Sequence, residues 1–248
     1  MTDAIIELKH VSKSFGGVVA NRDISLAVPR GRITGLIGPN GSGKTTLFNS
    51  IVGYHPIDSG SICFEGREIS RLRVQEIARQ GMLRTFQTTR IYGKMSCLQN
   101  MLISIPHRKA GFFDMFASER RETIQRAEQL LAFVGLYDKR LLRAGSLSFG
   151  QQKLLEFAMA LMNEPTVLLL DEPTAGINPT LINGLIDRLK RANSDFGITL
   201  FVIEHNMRAI MNMASTIYCL AHGELLAMGD PAAIQGDRRV IDAYLGAH

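Results

Sequence analysis

Gly38-Pro39-Asn40-Gly41-Ser42-Gly43-Lys44-Thr45-Thr46 follows an apolar run, Ile33 to Ile37, and opens a segment, Thr46 to Val52, that reads as helix. The stretch has the form G-x-x-x-x-G-K-[ST] in a strand–loop–helix setting. Its glycines let the backbone wrap tightly with N–H groups turned inward. The helix start adds a positive dipole end and free amide donors, so the concavity attracts an anion. In such a loop Lys44 reaches β- and γ-phosphates and the Thr45 hydroxyl is a Mg2+ ligand. The alternative is an ordinary Gly-rich turn. All eight motif positions match in the right setting, which favours a nucleoside triphosphate site.

Working outward, the chain of 248 residues suits one large α/β domain, or a core with a smaller inserted subdomain. Apolar content of 46% with 21% charged residues is that of a globular protein. No apolar run approaches the roughly 18 residues of a membrane span. The strongest, Val167–Leu170 and Ile198–Ile203, are strand-sized. The N-terminal residues Met1-Thr2-Asp3-Ala4 carry no basic-then-apolar signal pattern. Cys63, Cys97 and Cys219 lack metal-ligand spacing and read as reduced, mostly buried thiols of a cytosolic protein. A net charge of +5 suits anionic lipid or nucleic acid, between which composition does not choose, but ordinary solvated surface charge is the favoured reading.

Residues Ile5–Phe15 alternate as a strand, break at Gly16-Gly17, and resume over Val18–Ala20. A separate run, Ile24–Val28, ends at Pro29-Arg30-Gly31. Short strands are expected at Ser61–Phe64 and Met82–Phe86, with a helix at Val74–Arg79 between them. From about Thr88 to Asn163 the periodicity is helical. Ser96 caps a helix through about Ser104, Ser118–Val134 is amphipathic, and Ser148 caps a helix to about Met162. Strands return at Thr166–Leu170 and Ile198–Ile203, separated by a helix with Pro179 in its first turn. That alternation predicts a parallel sheet with crossover helices. The tail reads as a hairpin, Ile217–Leu220 with Glu224–Met228. A short helix capped by Asp230 and a last helix, Arg238–Leu245, complete it.

Val167-Leu168-Leu169-Leu170-Asp171-Glu172 is a buried strand ending in two acids. At the strand's C-terminal edge Asp171 is placed to hold Mg2+, and Glu172, pointing elsewhere, to polarise a water. Two acids capping an ordinary strand end are the plainer reading of this stretch alone, and coupling to the phosphate loop favours the functional one. Leu147-Ser148-Phe149-Gly150-Gln151-Gln152 puts a serine and a glycine at a helix start, a second anion cradle or merely a capped helix.

GPNGSGKTT, LSFGQQ, LLLDEPTAGINP and then Ile203-Glu204-His205, in this order, resemble an ABC transporter ATPase subunit over essentially the whole chain. The resemblance implies an α/β P-loop NTPase core with an N-terminal antiparallel β-subdomain and an inserted α-helical subdomain. The boundaries it suggests are a nucleotide-binding core at 1–87 and 164–236, a helical signature subdomain at 88–163, and a C-terminal helix at 237–248. It implies ATP and Mg2+ as ligands, with Gly38 to Thr46 around the phosphates and Thr45, Gln87 and Asp171 at the metal. Glu172, His205, Gln87 and Lys44 take the catalytic roles. Phe15 falls where an aromatic stacks on adenine, or else is a core strand aromatic. Ser148, Gly150 and Gln151 close over the γ-phosphate of an opposite subunit, and Gly176-Ile177-Asn178 crosses the dimer interface. Phe149 departs from the usual LSGGQ, and Asn178 stands where aspartate is frequent. Met95-Ser96-Cys97-Leu98-Gln99-Asn100 is an atypical form of the MTVxEN stretch.

Arg84-Thr85-Phe86-Gln87, the SFGQQ run through Glu156, AGINP and Val240-Ile241-x-Ala243-Tyr244-Leu245-Gly246 are similar to the uptake ATPases for branched-chain and other hydrophobic amino acids. Urea and short-chain amide importers use close relatives. The implied partners are a second ATPase subunit, head to tail, and integral membrane permeases at the cytoplasmic face of the membrane. A periplasmic or extracellular solute-binding protein takes part indirectly, and no nucleic acid is expected. The apolar stretch Gly111-Phe112-Phe113-Asp114-Met115-Phe116 is either docking face or subdomain core, and reads as core. A soluble ABC ATPase working on DNA or ribosomes is disfavoured because the chain has neither a long coiled-coil insertion nor a second cassette. A GTPase is disfavoured because no N-K-x-D segment occurs.

Overall fold

The structure is a computed structural model that describes residues 3–85, 91–105 and 116–245, the side chains of 116–120 excepted. Gln87 and the stretch 111–115 lie outside the described residues.

Two sheets share the N-terminal part of the chain. Ala4–Phe15 (β1) and Val18–Pro29 (β2) pair antiparallel, and Ile33–Ile37 (β3), buried at all five positions, leads to Lys44–Ile51 (α1). Ser59–Phe64 (β4), Arg67–Glu68 (β5), Val74–Arg79 (α2) and Met82–Arg84 (β6) follow. The helical stretch holds Cys97–Ile103 (α3), Phe116–Phe133 (α4) and Phe149–Leu161 (α5). Then come Val167–Asp171 (β7), Pro179–Phe196 (α6), Thr199–Ile203 (β8) and Met207–Met213 (α7). Thr216–Ala221 (β9), Glu224–Gly229 (β10), Pro231–Gly236 (α8) and Arg238–Leu245 (α9) end the chain. One sheet has the order β2-β1-β4-β5, the other β10-β9-β3-β8-β7-β6.

Contacts divide the chain into two compact units, Met1–Arg84 with Thr166–Thr174 and Leu189–His248, and Thr85–Pro165 with Ala175–Arg188. In the first unit, β3 lies between β8 and β9, both parallel to it, and β7 and β6 continue the parallel set. Parallel pairing brings the C-terminal ends of these strands to one edge, with Leu36 and Asp171 both in register with Ile203. Loops leaving such an edge are where an open α/β sheet binds ligands. Phe48 of α1 and Phe201 of β8 are fully buried with ring centroids 4.8 Å apart, pinning the phosphate-loop helix onto the sheet. Burial of each such ring contributes about 1.5–3 kcal/mol.

In the second unit, α3 starts at a capping box made by Ser96 and Gln99, and α5 at one made by Ser148 and Gln151. Ala127, Leu130 and Leu131 of α4 and the following Val134 are fully buried, as the amphipathic pattern requires.

Two expected strands, Val18–Ala20 and Ile24–Val28, form one, β2. The polar run Asn21-Arg22-Asp23 hides the continuity, because the β1–β2 ladder slips register between Leu8 and Val11 and again before Lys13. At this bulge His10 and Asp23 both take left-handed backbone (φ 52° and 53°), and their side chains bond at 2.7 Å. The strand expected over Met82–Phe86 is described only as Met82–Arg84. All three cysteines are free thiols, with Cys97 and Cys219 buried. Among the described residues no helix is long and apolar enough to cross a membrane.

Asp58, in the turn before β4, accepts hydrogen bonds from the Ser14 hydroxyl and N–H (2.6 Å each) and from Lys13 Nζ (2.9 Å). These bonds, Ser14's foremost, hold its carboxyl down at about 2. A folded pKa below the unfolded value gives stabilisation that is complete above the unfolded pKa and fades as pH falls through the folded one. Asp58→Asn is therefore expected to lower the thermal midpoint at neutral pH. The gap to the unsubstituted protein should close between about pH 4 and pH 2.

Candidate nucleotide site

The loop 38–43 folds as its glycines dictate. Gly38 has φ 146° and Gly43 φ 97°, both outside the negative-φ region open to L side chains. A Cβ on Gly38 would lie 2.1 Å from the Leu220 carbonyl oxygen, and one on Gly43 2.2 Å from that of Ala20. The buried Asn21 amide donates to the Gly43 carbonyl at 3.1 Å, tying β2 to the start of α1.

Lys44 is only 5% exposed. Its ammonium donates to the loop's own acceptors, Gly38 O at 2.8 Å, Pro39 O at 2.9 Å and Ser42 Oγ at 3.4 Å. Burial lowers its pKa, and the carboxylates of Glu172 and Asp171 work against that shift. The loop forms one wall of a cavity of about 290 Å³ lined by Val18–Ala20, Asn40–Thr46, Glu172 and His205.

Neighbouring acids point in different directions. Asp171, 1% exposed, gives Oδ2 to Arg84 Nη2 at 2.6 Å, and Arg84 Nη1 also donates to Asn49 Oδ1. Asp171 Oδ1 is buried without a partner among the described residues. Glu172 has left-handed backbone (φ 50°), donates its N–H to Ile203 O, and meets His205 Nε2 through Oε1 at 2.7 Å. Glu204 turns inward. Its Oε1 accepts from the Thr174 N–H (2.9 Å) and hydroxyl (2.5 Å), and its Oε2 from the Asn206 N–H (2.9 Å). With Glu204 so held, His205 faces the cavity.

The cavity thus gathers Asn40, Gly41, Ser42, Gly43, Lys44, Thr45, Thr46, Glu172 and His205; Asp171 and Phe15 are outside its lining. Phe15 is 43% exposed, edge-on to His55 at 5.2 Å, so it is no core aromatic. In the second unit, Ser148 is exposed at the start of α5. Its Oγ accepts from the Gln151 N–H at 3.4 Å and its N–H donates to Gln151 Oε1 at 3.2 Å. The Phe149 ring lies over Gly176, close enough that a Cβ there would sit 2.8 Å from Phe149 Cε1. A Cβ on Gly150 would meet only Leu181 and Ile177, at 3.6 and 3.7 Å. Asn178 accepts from the Thr180 N–H and hydroxyl and so caps α6.

The residue patterns did not single out Asn21, Asn49, Thr174 or Arg84 for a place beside this site. Their one local signal is a polar residue within a short apolar or helical run, which names no partner.

The model of the ABC transporter family matches residues 21–175, the span that holds the phosphate loop, the Ser148 cradle and both acids. The high-affinity branched-chain amino acid transport ATP-binding protein BraF of Pseudomonas aeruginosa is 36% identical over 99% of each chain.

The chain belongs to the ABC transporter family.

Two further relatives agree. The probable branched-chain amino acid transport ATP-binding protein LivG of Archaeoglobus fulgidus is 35% identical over 98% of this chain and 96% of its own. The high-affinity LivG of Escherichia coli K12 is 33% identical over 99% of both. Among solved structures, an ATP-binding cassette of an ABC transporter in its ADP conformation superposes with TM-score 0.87. It is 31% identical and covers 98% of this chain and 99% of its own. A nucleotide-free cassette gives TM-score 0.86 at the same identity, covering 97% and 98%. A second family model, for the branched-chain amino acid ATP-binding cassette transporter, matches the tail, residues 224–248. As an ABC transporter cassette, the chain binds and hydrolyses ATP.

In this ABC cassette the Arg84–Asp171 pair is buried, with side chains 9% and 1% exposed. Removing one partner of such a pair strands the other charge, at a cost of about 3–5 kcal/mol. Arg84→Met is expected to lower the unfolding free energy by that order, read from urea denaturation.

Proposed function

We propose that the chain is the ATP-hydrolysing subunit of an importer for branched-chain or other hydrophobic amino acids. It works as a head-to-tail pair on integral membrane permeases at the cytoplasmic face of the membrane. The observation that carries the ATPase chemistry is the single cavity shared by Lys44, Thr45, Glu172 and His205. The solute class rests on the relatives' names and on the branched-chain model matched by the tail. A solute-binding protein outside the membrane would deliver the amino acid to the permeases.

Lys44 keeps the Gly38 carbonyl and exchanges the Pro39 carbonyl and Ser42 hydroxyl for the β- and γ-phosphates, and the free amides of the loop take the remaining oxygens. The donor set suits Mg2+, a hard cation that takes oxygen ligands: the exposed Thr45 hydroxyl and Asp171, whose Oδ1 is buried without a partner. Bound between Thr45, Asp171 and, by the family pattern, Gln87, the metal would offset charge on the phosphates. Glu172 accepts the proton of the attacking water, and His205, 2.7 Å from its Oε1, orients that carboxylate and faces the γ-phosphate. Phe15, exposed beside His55, offers a face for adenine.

Ser148, Gly150 and Gln151 serve the nucleotide of the second copy. Their support is Ser148's exposure together with a glycine at 150 that its own packing does not require. Two cradles that each need the other copy's loop make a closed two-fold pair.

Uptake by the chain reconstituted with its permeases tests the solute class. Leucine, isoleucine and valine should compete for transport, and urea and short amides should not. Glu172→Gln should keep ATP affinity and lose turnover by about 10²–10⁴-fold. Ser148→Arg in that background should bind ATP as a monomer yet fail to dimerise with it, as read by light scattering.

A further inference from the structure

The last helix reaches back to the phosphate loop. Val240, on its inner face, is 2% exposed, whereas Ile241 and Leu245, on its outer face, are 45% and 69% exposed. Asp237 fixes the start of α9, accepting at Oδ1 from the Arg239 N–H at 2.9 Å and at its carbonyl from the Val240 N–H at 3.0 Å. Two turns on, the half-buried Tyr244 lies beside the loop, and its hydroxyl oxygen accepts from the Gly38 N–H at 2.8 Å.

Gly38 is therefore held at both ends. Its N–H goes to Tyr244 and its carbonyl to the Lys44 ammonium. With both flanking peptide planes tied, its φ of 146° is fixed although glycine has no side chain to restrict it. The Leu220 carbonyl of β9 occupies the space that a Cβ on Gly38 would need. Burial pushes the Tyr244 phenol up to about 12 and the neighbouring Cys219 thiol up to about 11, so the acceptor is a neutral phenol at physiological pH.

We propose that Tyr244 is a positioning residue for ATP. From the C-terminal helix it orients Gly38, and through the Gly38 carbonyl it seats Lys44, so the tail sets nucleotide affinity. The tail matched by the branched-chain model carries this brace. The inference rests on the reading of the phosphate loop as the ATP site.

Tyr244→Phe keeps the ring and removes only the oxygen. Equilibrium ATP binding and steady-state hydrolysis by the full chain, with its permeases for the second assay, give the test. Loss of this one bond should raise the Kd and KM for ATP about 3- to 10-fold and leave kcat within about twofold. In NMR the Gly38 amide should shift on the substitution, and Ile241→Ser, on the outer face of the same helix, should change neither constant. An unchanged Kd for Tyr244→Phe beside an unsubstituted protein that binds ATP overturns the brace, as does kcat falling with KM unmoved. If the unsubstituted protein itself fails to bind ATP, the reading of the loop falls first, and the brace with it.

Discussion

The Lys44 ammonium, 5% exposed, has no carboxylate within ion-pair distance among the described residues and rests on two carbonyls and a hydroxyl of its own loop. A buried cation left without a counter-ion is costly, and hydrogen bonds to neutral carbonyls recover only part of the lost hydration. Its lowered pKa reports that deficit, which Glu172 and Asp171 relieve from a distance. The loop is thus built around a buried positive charge. The rest of the first unit serves to keep that charge in place: Asn21 holds Gly43, Leu220 backs Gly38, and the Phe48–Phe201 contact anchors α1.

The acids opposite are kept apart by strand geometry. Asp171 ends the extended strand and Glu172 takes left-handed backbone, so their side chains leave in different directions and do not compete for one partner. Asp171 turns to Arg84, which also donates to Asn49, and Glu172, itself left-handed, turns to the cavity. The same division recurs after β8, where Glu204 goes inward to Thr174 and His205 goes to the cavity. Arg84 matters here because it ends β6, the strand paired with β7, and so brings a guanidinium to Asp171 from the sheet itself. Asp171 is left with one oxygen paired to Arg84 and one buried without a partner among the described residues.

The parts legible in the sequence were those written in local spacing. The phosphate loop, the parallel strands, and the caps at Ser96, Ser148 and Asp230 each depend on residues within a few positions of one another. The last helix was read with its bounds intact because its flanking turn chemistry is equally local. What escaped were partnerships across the chain. Asn21 meets Gly43, Arg84 meets Asp171, and Tyr244 meets Gly38 across 206 positions, and no periodicity announces such pairs. The continuity of β2 escaped for a different reason: a bulge breaks the alternation that a strand is recognised by. For Phe15 the alternation of a strand names two faces without saying which is buried.

The glycines sort by what requires them. Gly38 and Gly43 are dictated by the chain itself, since any side chain would strike a backbone carbonyl little more than 2 Å away. Gly176 is dictated too, by a left-handed φ of 72° and by the Phe149 ring set over it. That pairing explains how a bulky residue stands in the signature stretch without disturbing the Ser148 cap: its ring occupies the space above a residue that has no side chain. Gly150 is the exception. Its backbone is ordinary helix and its neighbours would tolerate a Cβ, so neither conformation nor internal packing accounts for it. Gly150 stands in the first turn of α5, one residue beyond Phe149 and beside the exposed Ser148, which is the face proposed to meet a second copy.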